Sequence, residues 1–147
     1  MVNLTKTALC RVSGNPLVKV IDFGMQPMGN GFLKPEEYKS EYFFPMALGF
    51  SEESKLLQLI EQPEANKMFH DHYAFYSSTS YFMAKHFEGF ANQVMKSKCL
   101  QHKNPFVIEL GCNDGILLKH FAANKIRHLG IEPSLNVSKE ANKLGVK

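Results

Sequence analysis

One nine-residue stretch, Val107-Ile108-Glu109-Leu110-Gly111-Cys112-Asn113-Asp114-Gly115, constrains the fold of this chain more than any other segment. The apolar run Phe106 to Leu110 has strand length, the glycines at 111 and 115 punctuate a turn, and a helical apolar pattern follows over 116–124. Strand, glycine turn and helix in immediate succession bring backbone N–H groups and a helix N-terminus to one point, the arrangement that holds a nucleotide-like ligand. A second apolar stretch, 128–131, ends at Glu132, and Ser134 and Gly145 stand where a further helix would have its N-cap and C-cap. Residues 105–147 therefore read β-α-β-α, the opening of a doubly wound parallel sheet. Such a domain ordinarily needs five or more strands and at least ~100 residues. The expectation is the N-terminal portion of a longer polypeptide, or a truncated product whose open sheet edge is covered by a partner, as in a homodimer.

The turn also selects among ligands. Its spacing, Glu-x-Gly-x-x-x-Gly, places Cys112 and Asn113 where a dinucleotide site has the glycine that lets a pyrophosphate approach. S-adenosylmethionine has no pyrophosphate and needs less clearance. Gly111 and Gly115 would let the backbone pass its methionine part, Glu109 and Asp114 would lie near its charged amino end, and Glu132 would accept from its ribose hydroxyls. A nicotinamide Rossmann fragment is the weaker reading, and an ordinary strand-turn-helix connection is the bland one.

The rest of the chain supplies two further segments. Residues 1–62 read as a small β-rich domain with a thin core: strands at Leu17 to Phe23, Tyr42 to Leu48 and Lys55 to Ile60, with Gly24 ending the first and Met25 to Gly31 a loop. Cys10-x-x-Ser13 and Ser51-x-x-Ser54 have the spacing of two zinc knuckles, but serine hydroxyls do not replace thiolates on zinc, so no metal is expected. Residues 63–104 read as a helical linker and lid, turn-like and then helical over 63–72. His70 and His72, two apart, do not share a helix face and suit surface or capping positions better than a metal. The segment Tyr73 to Ser80 could line a polar, hydroxyl-rich ligand such as a sugar, or simply cap the helix after it. In that helix, Tyr81 to about Cys99, the residues Met83, Phe87, Phe90 and Val94 recur at one face and are expected in the core.

Composition excludes several classes. Apolar residues make up 44% and charged residues 21%, which is globular rather than disordered. The net charge is +3, too mild for a nucleic-acid footprint, and no apolar run approaches the ~20 residues that span a bilayer. The N-terminus has no hydrophobic signal core, and three cysteines make no even disulfide framework, so a cytoplasmic, reduced chain is expected.

Taken in order, Cys10 to Gly14, Asp22 to Met28, Leu56 to Leu59, Tyr73 to Ser80, Val107 to Leu117 and Gly130 to Ser134 resemble the N-terminal part of the S-adenosylmethionine-dependent sugar C-methyltransferases of deoxysugar biosynthesis. The resemblance runs almost end to end. It implies an α+β to α/β chain: a degenerate zinc-binding-like domain over 1–62, a linker and lid over 63–104, and the start of a Rossmann-like methyltransferase domain over 105–147. It implies S-adenosylmethionine as cofactor, held by Glu109, Gly111, Cys112, Asn113, Asp114, Gly115, Glu132 and Pro133 with Ser77 and Ser78, and a nucleotide-linked keto sugar as substrate. Active-site tyrosine chemistry carries over to Tyr73 or Tyr76, since Phe75 takes the slot of the second family tyrosine. The family's acid–base histidine and glutamate have no counterparts here, so the chain alone is expected to be inactive.

Overall fold

A computed structural model describes residues 8–147, so the first seven residues of the expected 1–62 domain lie outside the described residues. The chain is mixed α/β and forms two compact units, Met1–Met68 and Phe69–Lys147.

The first unit is built on an antiparallel sheet of β1 (Val18–Pro27), β2 (Phe43–Phe50) and β3 (Leu57–Leu59), in the order β1-β2-β3. The first strand runs past Gly24, through part of the stretch expected as a loop. The register between β1 and β2 shifts between Asp22 and Met25, and Gly24 occupies that irregularity at φ +70°. A glycine in left-handed conformation absorbs the extra residue of a bulge, so pairing resumes at Met25 and holds to Pro27 opposite Phe43. Asp22 Oδ1 fixes the bend by accepting from Gly24 N at 2.9 Å. The unit has the thin core its sequence implies, with Cys10, Phe44 and Ser51 buried and Val18, Val20, Ile21 and Phe23 exposed. The helix expected within 63–72 is a single turn, α1 (Ala65–Met68).

The second unit holds α2 (Tyr81–Lys96), β4 (Phe106–Leu110), α3 (Leu118–Ala123), β5 (Arg127–Ile131) and α4 (Leu135–Lys143). Strands β4 and β5 pair in parallel, with Glu109 opposite Gly130 and Leu110 opposite Ile131. Ala91, Cys112, Leu117, Leu118, Phe121, Ala141 and Val146 form its core, with Phe87, Val94 and Val107 packed against it. The expected core stripe of α2 is therefore half right. Phe87, Ala91 and Val94 face inward at i, i+4, i+7, whereas Met83 and Phe90 are exposed. The helix ends at Lys96, and a turn of 3₁₀ helix at Lys98–Leu100 takes up the remaining residues. Among the described residues no helix is long and apolar enough to cross a membrane.

Candidate functional site

The glycine turn after β4 leaves the strand with three left-handed residues at alternate positions: Gly111 at φ 73°, Asn113 at 49° and Gly115 at 79°. Asn113 carries a side chain in that conformation, which persists only where its surroundings over-determine it. They do. Asn113 N donates to Glu132 Oε2 (3.0 Å), its Oδ1 accepts from Ser77 N (3.0 Å), and its Nδ2 donates to Phe75 O (3.0 Å). Asp114 is 2% exposed, and its Oδ2 accepts from both the amide (3.0 Å) and the hydroxyl of Ser78. The segment Tyr73 to Ser80 is thus docked onto the turn by the turn's own side chains. Asn136 on α4 completes the docking, donating from Nδ2 to Tyr73 O (2.8 Å) and to the Tyr76 hydroxyl (2.9 Å). No spacing in the sequence marks Asn136 for this role, because its partners lie some sixty residues away in the chain.

Glu132 is the second fixed point. While one carboxylate oxygen accepts from Asn113, Oε1 accepts from Ser134 N at 2.8 Å. Ser134 stands at the N-cap of α4 as expected, but its hydroxyl makes no cap hydrogen bond. Each carboxylate oxygen offers about two lone-pair sites, so Glu132 keeps acceptor capacity after both backbone bonds are made.

A cleft of about 390 Å³ lies where β4 and β5 begin, beside Phe106, Arg127 and the turn after α3, and another of about 360 Å³ is walled by Phe69, Tyr73, Gly111, Asn113, Glu132 and Pro133. The second gathers five of the residues expected from sequence. Phe69 is the wall that sequence reading missed; its ring is 6.3 Å from that of Tyr73. Tyr76 instead borders two larger, more open clefts beside α4, of about 590 and 570 Å³. Ser78 and Asp114 line one of those clefts with Tyr76, and Ser77 meets the turn through Asn113.

Three other expected cofactor residues also stand away from the cleft. Gly115 is glycine for packing as well as conformation: a Cβ there would meet Val146 Cγ2 at 3.0 Å and the Ala141 Cα at 3.1 Å. Cys112 is 3% exposed, and its sulfur fills the space a Cβ on Gly130 would take. Burial, then the carboxylates of Glu109 and Glu132, push its thiol up to about 11. Glu109 alternates with Ile108 and Leu110, so it shares the covered face of β4 with Val107. Burial without a cationic partner pushes its carboxyl up to about 7, and its Oε2 is buried with no hydrogen-bond partner.

In the first unit the four knuckle positions do converge. The turn at Cys10 closes with Gly14 N donating to Cys10 O (2.8 Å) and Ser13 N to Cys10 Sγ (3.5 Å). The turn at Ser51 repeats it, with Lys55 N donating to Ser51 O (2.9 Å) and Ser54 N to Ser51 Oγ (3.2 Å). Both end in the left-handed region, Gly14 at φ 74° and Lys55 at 58°. Cys10 Sγ lies 3.2 Å from Ser54 Oγ and accepts from Gln58 Nε2 at 3.2 Å. Hydrogen bonds from Ser13 first, then from the Ser54 and Ser51 hydroxyls, hold the Cys10 thiol down to about 5. One thiolate among three hydroxyls does not fit zinc, which takes about four thiolate, imidazole or carboxylate ligands. Among the described residues no cluster of His, Cys, Asp and Glu is placed to hold a metal ion.

No curated protein matches the chain. Residues 10–69 match the family model Methyltransf_13, described as "Putative zinc binding domain", which supports a methyltransferase-associated family for this chain.

Proposed function

We propose that the chain is the N-terminal portion of an S-adenosylmethionine-dependent C-methyltransferase acting on a nucleotide-linked keto sugar. The observation that carries this reading is the cleft at the glycine turn, where Gly111, Asn113, Glu132 and Pro133 meet Tyr73 and Phe69. Its volume falls at the small end of small-molecule sites. The order β4-α3-β5-α4 suits the opening of a doubly wound sheet, whose ligands bind beyond the carboxyl ends of the strands. Gly130 N donates to Lys147 O at 2.7 Å, which sets the chain after α4 beside β5, where a third parallel strand would run. The match of residues 10–69 to a methyltransferase-associated domain is independent support.

Bound S-adenosylmethionine would supply an electrophilic methyl group. The residues of this chain would hold the cofactor. Glu132 would use its spare lone pairs for the ribose diol, the Gly111 backbone would allow close approach, and the rings of Phe69 and Tyr73 would cover an apolar face. Tyr73, held through its backbone by Asn136 and walling the cleft, would be the tyrosine nearer a bound ligand, whereas Tyr76 lies outside that cleft.

Titration calorimetry with S-adenosylmethionine tests the reading. Binding to the native chain is expected, with Glu132→Ala weakening it about tenfold or more, the scale of a lost hydrogen bond to a charged group. Absence of heat at millimolar cofactor would remove the cofactor from the proposal. Saturation-transfer NMR with a nucleotide-linked 4-keto hexose tests the sugar separately. A second reading, a non-catalytic module that binds a partner, is favoured by the exposed apolar face of β4, where Phe106, Ile108 and Leu110 lie bare. That reading predicts no response to the nucleotide sugar and at most weak binding of S-adenosylmethionine.

A further inference from the structure

The family match over residues 10–69 implies a zinc-binding domain, yet the donors present do not suit zinc. Both turns that carry these donors are nevertheless formed. Two turns with the same internal hydrogen bonds and the same left-handed fifth residue face each other across one buried sulfur. Cys10 is 2% exposed and Ser51 1%. We infer that this domain dispenses with the metal, and that hydrogen bonds converging on Cys10 Sγ from Ser13, Ser54 and Gln58 close the two turns in its place.

The chemistry is consistent at each position. A zinc knuckle is held by thiolates around a cation, with backbone N–H groups donating to the sulfurs. Here Ser13 N and Gln58 Nε2 donate to the one sulfur left, and the cation's bridging role passes to hydroxyls that both donate and accept. The lowered Cys10 pKa gives this sulfur the negative charge that such donors favour. Arg11 extends the link to β3. Its backbone N (3.1 Å) and Nη1 (3.3 Å) donate to Gln58 Oε1, and its Nη2 donates to Leu59 O at 2.8 Å. Gln58 thereby joins the first turn to the third strand through both ends of its amide, a link that three more cysteines around a metal would make unnecessary.

Elemental analysis and melting with and without chelator provide the first test on the whole chain. Purified protein is expected to carry far less than one zinc per chain, and chelator is expected to leave Tm unmoved. Near-stoichiometric zinc, or a chelator-induced fall in Tm, would overturn the inference. The second test restores the thiols with Ser13→Cys, Ser51→Cys and Ser54→Cys together. This variant is expected to give the absorption of tetrahedral Co(II)–thiolate and to acquire a chelator-sensitive Tm, whereas a folded variant that takes up no cobalt would refute the convergent geometry. Should the triple variant not fold, a cycle of Cys10→Ala and Gln58→Ala decides. Losses in Tm that are clearly less than additive support the sulfur-centred link, and strictly additive losses count against it.

Discussion

Gly130 shows how much one missing side chain can decide. A Cβ there would stand 2.5 Å from Cys112 Sγ and 3.1 Å from Leu118 Cδ1, both buried. Overpacking of this kind costs ~1–3 kcal/mol, so Gly130→Ala is expected to lower Tm by several degrees, with Cys112→Ala restoring part of the loss in the double variant. Glu109 makes a prediction of opposite sign. The native state keeps its proton up to about 7, whereas a free side chain releases it near 4.5. The folded chain then binds more protons than the unfolded chain between those values, so this residue makes stability fall as pH rises through that window. Glu109→Gln removes the slope. Its Tm should match the native chain's below pH 4.5 and exceed it above about pH 7, and a constant gap across pH would disprove the assignment. The thiols differ as sharply. At pH 8 a soluble alkylating reagent should modify exposed Cys99 first and Cys112 last, because Cys112 is buried and its thiol is pushed up to about 11. Mass spectrometry of the labelled peptides gives the order.

The elements of the second unit depend on short local devices. Helix α2 begins at Ser80, whose hydroxyl accepts from Met83 N at 3.3 Å. Ser80→Ala is expected to cost ~1 kcal/mol, read as an earlier denaturant midpoint at unchanged slope. The sequence offered the segment Tyr73 to Ser80 as a cap for the helix after it, and the structure divides the work of its serines. Ser80 caps the helix, while Ser77 and Ser78 donate to the glycine turn. That division was not legible beforehand, because the turn's acceptors lie 36 residues downstream. The same limit explains β1. Gly24 reads as a strand end by local rules, and only the pairing of Met25, Gln26 and Pro27 with β2 turns it into a bulge.

At the scale of the whole molecule, the β4–β5 sheet has one face against the helices and one bare. Phe106, Ile108, Leu110, Leu129 and Ile131 are all more than a third exposed. A contiguous apolar face on a two-stranded sheet should bind hydrophobic dye in the folded state. Ile108→Lys, in its middle, is expected to lower that fluorescence without a large change in Tm, since this side chain makes little of the core. The alternation in β4 was visible in the sequence only as a continuous apolar run broken by Glu109. Such a run suits a strand buried on both sides, and the structure covers only the side that carries Val107 and Glu109.

By itself the sequence determined the elements that depend on neighbours within a few residues: the strand, glycine turn and helix at 106–124, the strand ending before Glu132, and the knuckle turns with their serines. Local sterics, periodicity and donor chemistry govern all of these. The tertiary structure decided which of the expected residues share a cleft. It placed Tyr73, Gly111, Asn113, Glu132 and Pro133 together with Phe69, put Cys112 and Gly115 into packing, and turned Glu109 to the covered face of β4. It also brought Gln58 to Cys10 across 48 positions. Those outcomes depend on contacts between distant segments, whose geometry is fixed by how the sheets and helices pack and not by any local pattern.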